Sequence, residues 1–359
     1  MQQVKKTKMC VLHLIPGFGG GISSLVVNLI RGSNDKIIKQ DVCSFNECNE
    51  TIRDEIERHG GHVYVLTRLS KNPIFGTANE FAKIIKENGP YDLVHLHETD
   101  IVALFFAILC YSHGVKRVAS HAHITQNAQS GHRLFDIGMY VKRFITRHCV
   151  TDLCSCSKMA SRYIFGNKSV LAHKVMHIPN GVPENQYFER TPFNEIENLK
   201  QEFELPCGTL VIGHVGYFGY QKNHEFMINL IHEMRKRHIS FVWLFVGEGA
   251  GFDDAVKQVH ENGDDSVVRF VGRRTDVQKL YELFDVFVLP SHFEGLPTVA
   301  VEAQAKGCPA ILADAISSEC DFKLGMTKWL SLDQPADTWI QAIQEMSHCC
   351  VPSEAERKT

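Results

Sequence analysis

No stretch of this chain reaches the roughly eighteen uninterrupted apolar residues that a membrane-spanning helix needs. The longest apolar run, Ile101–Tyr111, is too short to cross a bilayer and reads as a buried helix. The basic start MQQVKKTKMC passes straight into a strand-like run ending at Pro16 and Gly17. With no apolar core followed by small residues, the N-terminus reads as mature protein and not as a secretion signal. Basic excess is missing too: a formal charge of −3 gives no support to a nucleic-acid partner. The twelve cysteines include no C-x-x-C pair, the spacing of a structural zinc site. Most lie in apolar runs as small hydrophobes, so a reduced, cytoplasmic protein is expected. Cys154-Ser-Cys156 and Cys349-Cys350 receive no role. No G-x-x-x-x-G-K-[ST] occurs, and a G-x-G-x-x-G counted from Gly17 fails at Ile22. A D-x-D carboxylate pair at a strand end is also absent.

What is present is a regular alternation. At 359 residues, with 44% hydrophobic and 22% charged side chains, the chain can build two cores. Strand-like runs in the first half are MCVLHLIP, QDVCSF, HVYVLT, DLVHLH, VKRVASH, DLCSC and VMHIP. Between them lie helix-like runs such as GISSLVVNLIRG, ETIRDEIERHG and FAKIIKENG, each closed by glycine. The second half repeats the scheme with LVIGHVG, FVWLFVG, VVRFVG, DVFVLPS and PAILAD, and with helices HEFMINLIHEMRKRH, DVQKLYELF and TVAVEAQAKG. Strands alternating with helices of this size predict parallel sheets built from βαβ units. The turn signals from Asn180 to Pro183 and the polar stretch after them separate the halves. We therefore expect an α/β protein of two doubly wound domains facing across a cleft. The domains are placed at 1–185 and 206–340, with a linker at 186–205 and a tail at 341–359.

Ligands of such sheets bind beyond the carboxyl ends of the strands, so the loops there carry the chemistry. After the first strand come Gly19, Gly20 and Gly21, ahead of a helix. They allow close approach to a ligand, or they make a plain tight turn. In GHVGYFGYQKNH, Gly216 gives close approach and Lys222 sits just ahead of a helix, where the macrodipole disfavours a cation. An anion such as a phosphate would supply its partner; a solvated ammonium is the alternative. The turn VGEGAG is mostly a backbone device. In FVLPSHFEGLPTVAVEAQAKG, Phe287–Gly307, Pro297 suits a first helical turn and Gly307 its end. Thr298 and Glu302 fall on one helix face, opposite an expected Val299/Ala303 core pairing. Unpaired amides at Gly295 and Leu296 suit an anion, and Glu294 and Glu302 suit hydroxyl groups on either side of it.

The spacing from Glu294 to Glu302 matches the E-x7-E motif of retaining glycosyltransferases of the GT-B fold, and its context resembles family 4 closely. GGG near the start, His121-Ala-His123, IPNGV at 178–182, QKNHEFMI at 221–228, FVGEGAG and VRFVGRRTDV follow the family's order. The resemblance covers nearly the whole chain, and QKNH looks like the capsular and exopolysaccharide subgroup. It implies two Rossmann-like domains, the first on the acceptor side and the second binding a nucleotide sugar. In relatives a final helix often crosses back to the first domain, which leaves the course of the tail open.

Residue by residue, the resemblance implies that Glu302 accepts from ribose hydroxyls and Glu294 contacts the donor sugar. Amides of Gly295, Leu296 and Thr298, beside Pro297, hold the phosphates. Lys222 stabilises the leaving diphosphate. Gly19, Gly20 and Gly21 close over the phosphates, and His123, ahead of His121, lies near the sugar. The loop at Arg273 and Arg274 lines the base. Lys222, Glu294 and His123 are thus the catalytic candidates, and Gly216 and Tyr217 complete the donor set. The family commonly has arginine where this chain has Tyr217, a phenol without charge at neutral pH. Weaker stabilisation of the leaving group, a substitute cation such as Arg273, or weak activity follows from that.

The expected reaction is transfer from a UDP-sugar to a glycan or lipid-linked acceptor in bacterial surface polysaccharide synthesis, with retention implied by the resemblance alone. No cofactor is expected, the nucleotide sugar being a co-substrate. No metal is expected either, because Lys222 and a helix N-terminus supply the positive charge and His121-Ala-His123 has no evident third partner. A sugar-nucleotide epimerase and a catalytically weak nucleotide-sugar-binding subunit are the rival readings. The stretch 132–148 mixes apolar and basic residues, so it reads either as a core helix with a basic rim or as a peripheral contact with the inner face of the plasma membrane.

Overall fold

The computed structural model of the protein describes residues 8–67, 74–97, 101–125, 137–138, 140–141, 149–167 and 174–358. Most of the amphipathic stretch 132–148 lies outside the described residues. The chain forms two compact units, Met1–Pro179 and Asn180–Thr359. The stretch 186–205 belongs to the second unit and contains the helix Phe193–Glu202. It is tied there by Thr191, which donates to Glu282, and by Lys306, which donates to both Glu189 O and Glu282.

In the first unit seven parallel strands lie in the order β3-β2-β1-β4-β5-β6-β7. They are β1 Met9–Ile15, β2 Ile38–Ser44, β3 Val63–Val65, β4 Leu93–Leu96, β5 Val118–Ala122, β6 Asp152–Ser155 and β7 Val175–His177. Side chains alternate between the two faces of a strand. Leu12 and Leu14 of β1 join a core with Phe81, Leu96 and Phe106 under the helices Ile74–Asn88 and Ile101–Ser112. On the other face Ile15 packs with Val26, Ile30, Val42 and Ile56 under the helices Gly21–Arg31 and Glu50–Arg58.

The second unit has six parallel strands in the order β10-β9-β8-β11-β12-β13. They are β8 Leu210–Val215, β9 Phe241–Val246, β10 Val268–Gly272, β11 Val286–Leu289, β12 Ala310–Ala313 and β13 Thr327–Leu330. Every residue of β9 and β11 is buried, as continuous apolar runs in a doubly covered sheet require. Gly213 in β8 is fixed by packing: a Cβ there would stand 2.1 Å from the Phe284 ring. The helix His224–Lys236 packs against the helix Ala336–Met346, where Trp339 meets Phe226 edge to face. The last described residues fold onto this unit. Arg357 donates to Ala305 O, and Lys358 pairs with Glu184.

In both sheets the strand order reverses between the first and fourth strands in sequence, β1/β4 and β8/β11. This is the point where open α/β sheets hold ligands. All twelve cysteines are free thiols. No helix among the described residues is long and apolar enough to cross a membrane.

Candidate active site

The reversal point of the second sheet collects the residues singled out in QKNH and EGLP. After β8, the turn Tyr220–Lys222 ends at Asn223, whose φ of 58° is left-handed, and the helix His224–Lys236 follows. After β11 the chain runs through Ser291–Glu294 to the helix Thr298–Lys306. The two loops are stitched together by side chains. Lys222 Nζ donates to Glu294 Oε1 at 2.7 Å, Ser291 Oγ to the same oxygen at 3.0 Å, and Gln221 Nε2 to Oε2 at 2.9 Å. His292 N also donates to Gln221 O at 2.9 Å. The Lys222 and Glu294 side chains are only 14% and 9% exposed. An ion pair this poorly hydrated is tolerated when further hydrogen bonds satisfy the carboxylate, and Ser291 and Gln221 supply them. The anion expected beside Lys222 is therefore found within the chain, as Glu294.

The helix Thr298–Lys306 begins after Pro297, which has no N–H to leave unpaired. Amides in the first turn of a helix lack intrahelical acceptors, and those of Thr298 and Val299 find none among the described residues. Asn180 braces the loop from outside, its Nδ2 donating to Leu296 O at 2.7 Å and to Thr298 Oγ1 at 3.1 Å. The helix buries more than one face. Thr298, Ala300, Val301, Ala303, Gln304 and Ala305 are all buried, and Val299 is half-buried. The expected Val299/Ala303 core face opposite Thr298 and Glu302 is thus corrected: a helix between two strands of a covered sheet packs almost all round.

Glu302 is half-buried. Tyr281 Oη donates to its Oε2 at 2.9 Å, and the Tyr187 phenol hydrogen-bonds the same carboxyl. Burial holds the Glu302 carboxyl above the usual range, against the opposing effect of the two phenols and the Lys222 charge. Burial, reinforced by the Glu302 charge, keeps Tyr281 protonated and so able to donate. Neither tyrosine was legible in the motif, because each reaches Glu302 from a different element. Tyr217 is exposed, and its hydroxyl accepts from the Ala250 amide at 3.2 Å. Arg273 is exposed, whereas Arg274 is held by Asp276 and Glu202. Of the two, only Arg273 carries no ion pair among the described residues.

In the first unit, Gly20 caps the helix Gly21–Arg31 and Gly19 has a left-handed φ of 108°. The Gly19 and Gly20 amides donate to Ser23 Oγ at 3.1 and 3.2 Å. Close approach is needed one turn earlier, where a Cβ on Gly17 would stand 2.7 Å from Asn46 Oδ1. His123 follows β5 and is buried among four other histidines: His13, His95, His97 and His121. Burial holds all five rings neutral, His123 being lowered to about 3 and His121 to about 2. His121 and His123 therefore do have near partners, which corrects the expectation from their spacing. His95 lies in the neighbouring strand β4 and His97 directly after it, twenty-odd residues away in sequence.

Residues 195–353 match the family described as Glycosyl transferases group 1. The chain is 31% identical over 335 residues to the putative glycosyltransferase EpsF of Bacillus subtilis (strain 168), covering 93% of this chain and 86% of that one. It is 24% identical to the UDP-Gal:alpha-D-GlcNAc-diphosphoundecaprenol alpha-1,3-galactosyltransferase of Escherichia coli, over 73% of this chain and 67% of that one. Among solved structures, Anabaena Alr3699/HepE in complex with UDP and glucose superposes with a TM-score of 0.78 at 20% identity, covering 98% of this chain and 95% of that one. The ordered parallel sheets, the basic and acidic loops at the second reversal point and the near full-length likeness to EpsF lead to one assignment: the chain belongs to the group 1 glycosyltransferases and has the GT-B fold.

Proposed function

We propose that this glycosyltransferase takes a sugar from a UDP-sugar held by the second unit. It places the sugar, with retained anomeric configuration, on a glycan or lipid-linked acceptor of bacterial surface polysaccharide synthesis. The observation that carries the reading is the Lys222 ammonium fixed 2.7 Å from Glu294 Oε1, beside a helix start with unpaired amides. The Escherichia coli relative's name specifies a UDP-linked donor and a diphosphoundecaprenol acceptor, which supports both substrate classes.

Transfer breaks the bond between the anomeric carbon and the diphosphate oxygen, and the electron pair stays on that oxygen. Groups aimed at this growing charge form the largest expected catalytic term. Lys222 has three N–H donors and gives one to Glu294, leaving donors for phosphate oxygens. The amides of Thr298 and Val299 add the helix N-terminal charge. Glu302, oriented by Tyr281 and Tyr187, takes the ribose hydroxyls. Glu294 holds the lysine in place and meets the donor sugar with its remaining acceptor capacity. Gly216, Tyr217 and Arg273 complete the donor contacts of the second unit. This charge set calls for no hard cation such as Mg²⁺ on the diphosphate.

Lys222→Ala should lower kcat about 10²- to 10³-fold, as loss of one such donor does. The same change strands a buried carboxylate, so the double variant Lys222→Ala/Glu294→Gln is the control: it should recover thermal stability and still fail in transfer. Transfer by wild-type protein should need no added Mg²⁺, and the product should keep the donor's anomeric configuration. Full activity in the double variant, or conversion of the UDP-sugar to its epimer without acceptor, would rule the proposal out.

A further inference from the structure

The five histidines of the first unit form a built cluster, of which the family resemblance gives a donor role to His123 ahead of His121 and none to the others. β1, β4 and β5 are neighbours, with His13 opposite His95 and His95 opposite Ala119. All five rings are less than a tenth exposed. Their hydrogen bonds can be followed from a fixed end. Ser33 Oγ donates to Leu29 O, so it accepts from Gln40 Nε2 at 2.9 Å, which leaves Gln40 Oε1 as an acceptor. His13 Nε2–H then donates to that oxygen at 2.9 Å, and its bare Nδ1 accepts from His97 Nε2–H at 3.1 Å. His97 Nδ1 is left as a lone pair, 3.0 Å from His123 Nε2. On the other side His121 Nδ1 lies 3.2 Å from His95 Nε2. His121 Nε2 is fully buried and has no partner among the described residues.

We propose that His97, His121 and His123 bind a transition-metal ion of the zinc class, with His13 and His95 orienting two of the ligands. One ring nitrogen from each of the three lies within 4.8 Å of the others. The orphaned His121 Nε2 is the buried lone pair such an ion would satisfy, since an unpaired buried polar atom is costly. Ligating histidines characteristically give their second N–H to an acceptor, which fixes the ring. Here His97 gives Nε2–H to His13, and His121 gives Nδ1–H to His95. His123 ligates through Nε2 and keeps its proton on Nδ1, a charge-neutral change of tautomer. Three imidazoles suit zinc, copper, nickel or iron(II) and not magnesium or calcium, which prefer oxygen. Three protein ligands also leave a coordination position for an oxygen ligand. The site is therefore chemically distinct from a hard cation on a diphosphate, and it stands whether or not the donor assignment does.

The test uses tag-free full-length protein. Metal content is measured by mass spectrometry, and chelator-treated protein is titrated with Zn²⁺ and with Co²⁺, whose visible absorption reports imidazole ligation. Expected are close to one ion per chain, a Co²⁺ band displaced by Zn²⁺, and a rise in Tm with Zn²⁺ but not with Mg²⁺. His121→Ala should abolish the band. Gln40→Ala, two hydrogen bonds removed from the ligand His97, should weaken affinity on the order of 10- to 100-fold. His232→Ala, outside the cluster, should change nothing. If His121→Ala does not fold, the Zn²⁺ effect on the wild-type Tm and the Gln40→Ala titration still decide. Absence of metal with no Zn²⁺ effect, or binding unchanged in both cluster variants, overturns the site and leaves the rings as a hydrogen-bonded chain only.

Discussion

Glu302 is a carboxylate whose environment works against its ionisation, and that gives its proposed role a pH signature. Burial raises its folded pKa above the ordinary value of 4.5. A raised acid holds its proton more tightly folded than unfolded. Its contribution to stability is therefore full below 4.5 and is lost as pH rises through the folded value. Donor binding runs the other way, because the carboxylate accepts at both oxygens whereas protonation turns one of them into a donor. As pH falls from neutrality through the raised value, the KM for the UDP-sugar should rise, at a higher pH than an exposed glutamate would cause. Glu302→Gln should start with a higher KM and lack this acid limb. A variant that keeps the limb would assign it to another group and remove Glu302 from the ribose.

The loop after β8 shows how an element is shaped around one side chain. A Cβ on Gly216 would stand 3.0 Å from Lys222 Cε and 3.1 Å from both Lys222 Cδ and His214 Nε2. The glycine is there because the lysine stem crosses it. Gly247 is required by the same loop, since its Cβ would meet Gly216 O at 1.9 Å. Gly216→Ala should therefore displace the ammonium by a few tenths of an ångström or more, and misplacement of a catalytic group by about 1 Å costs about 10²-fold. A loss of roughly 10- to 100-fold in kcat, with little change in Tm, is the expected outcome. An unchanged kcat would show that Lys222 is not at the reacting phosphate. The strands that such loops follow were plain in the sequence where both faces are covered, as in FVWLFV and DVFVLP. β13 was missed because Thr327 and Lys328 are polar on an edge strand, half-exposed, with no apolar run to announce it. Glu294, Glu302 and Lys222 were legible because a short motif fixes their spacing. Tyr187, Tyr281 and Asn180 were not, since only tertiary packing brings them to that motif. The histidines fall between these cases: His95 and His97 share a face by alternation, but their closeness to His121 depends on strand order, which no local pattern states.

At the scale of the whole molecule, the two units place their chemistry at corresponding points of two similarly ordered sheets, yet with opposite ligand preferences. At β8/β11 the donors are an ammonium and helix amides, which favour an anion. At β1/β4/β5 the donors are neutral imidazoles, which favour a soft cation. Ligands that bind only the folded state stabilise it by mass action, about 2.7 kcal/mol at a hundredfold excess over Kd. Each ligand should therefore protect its own unit. Hydrogen exchange with UDP should slow amides in 216–222 and 294–302, whereas Zn²⁺ should slow those in 95–97 and 121–123. Because the sets share no residue, the two effects test the two readings separately. UDP protection confined to the first unit would displace the donor from the β8/β11 loops, and Zn²⁺ protection confined to the second would displace the ion from the histidines.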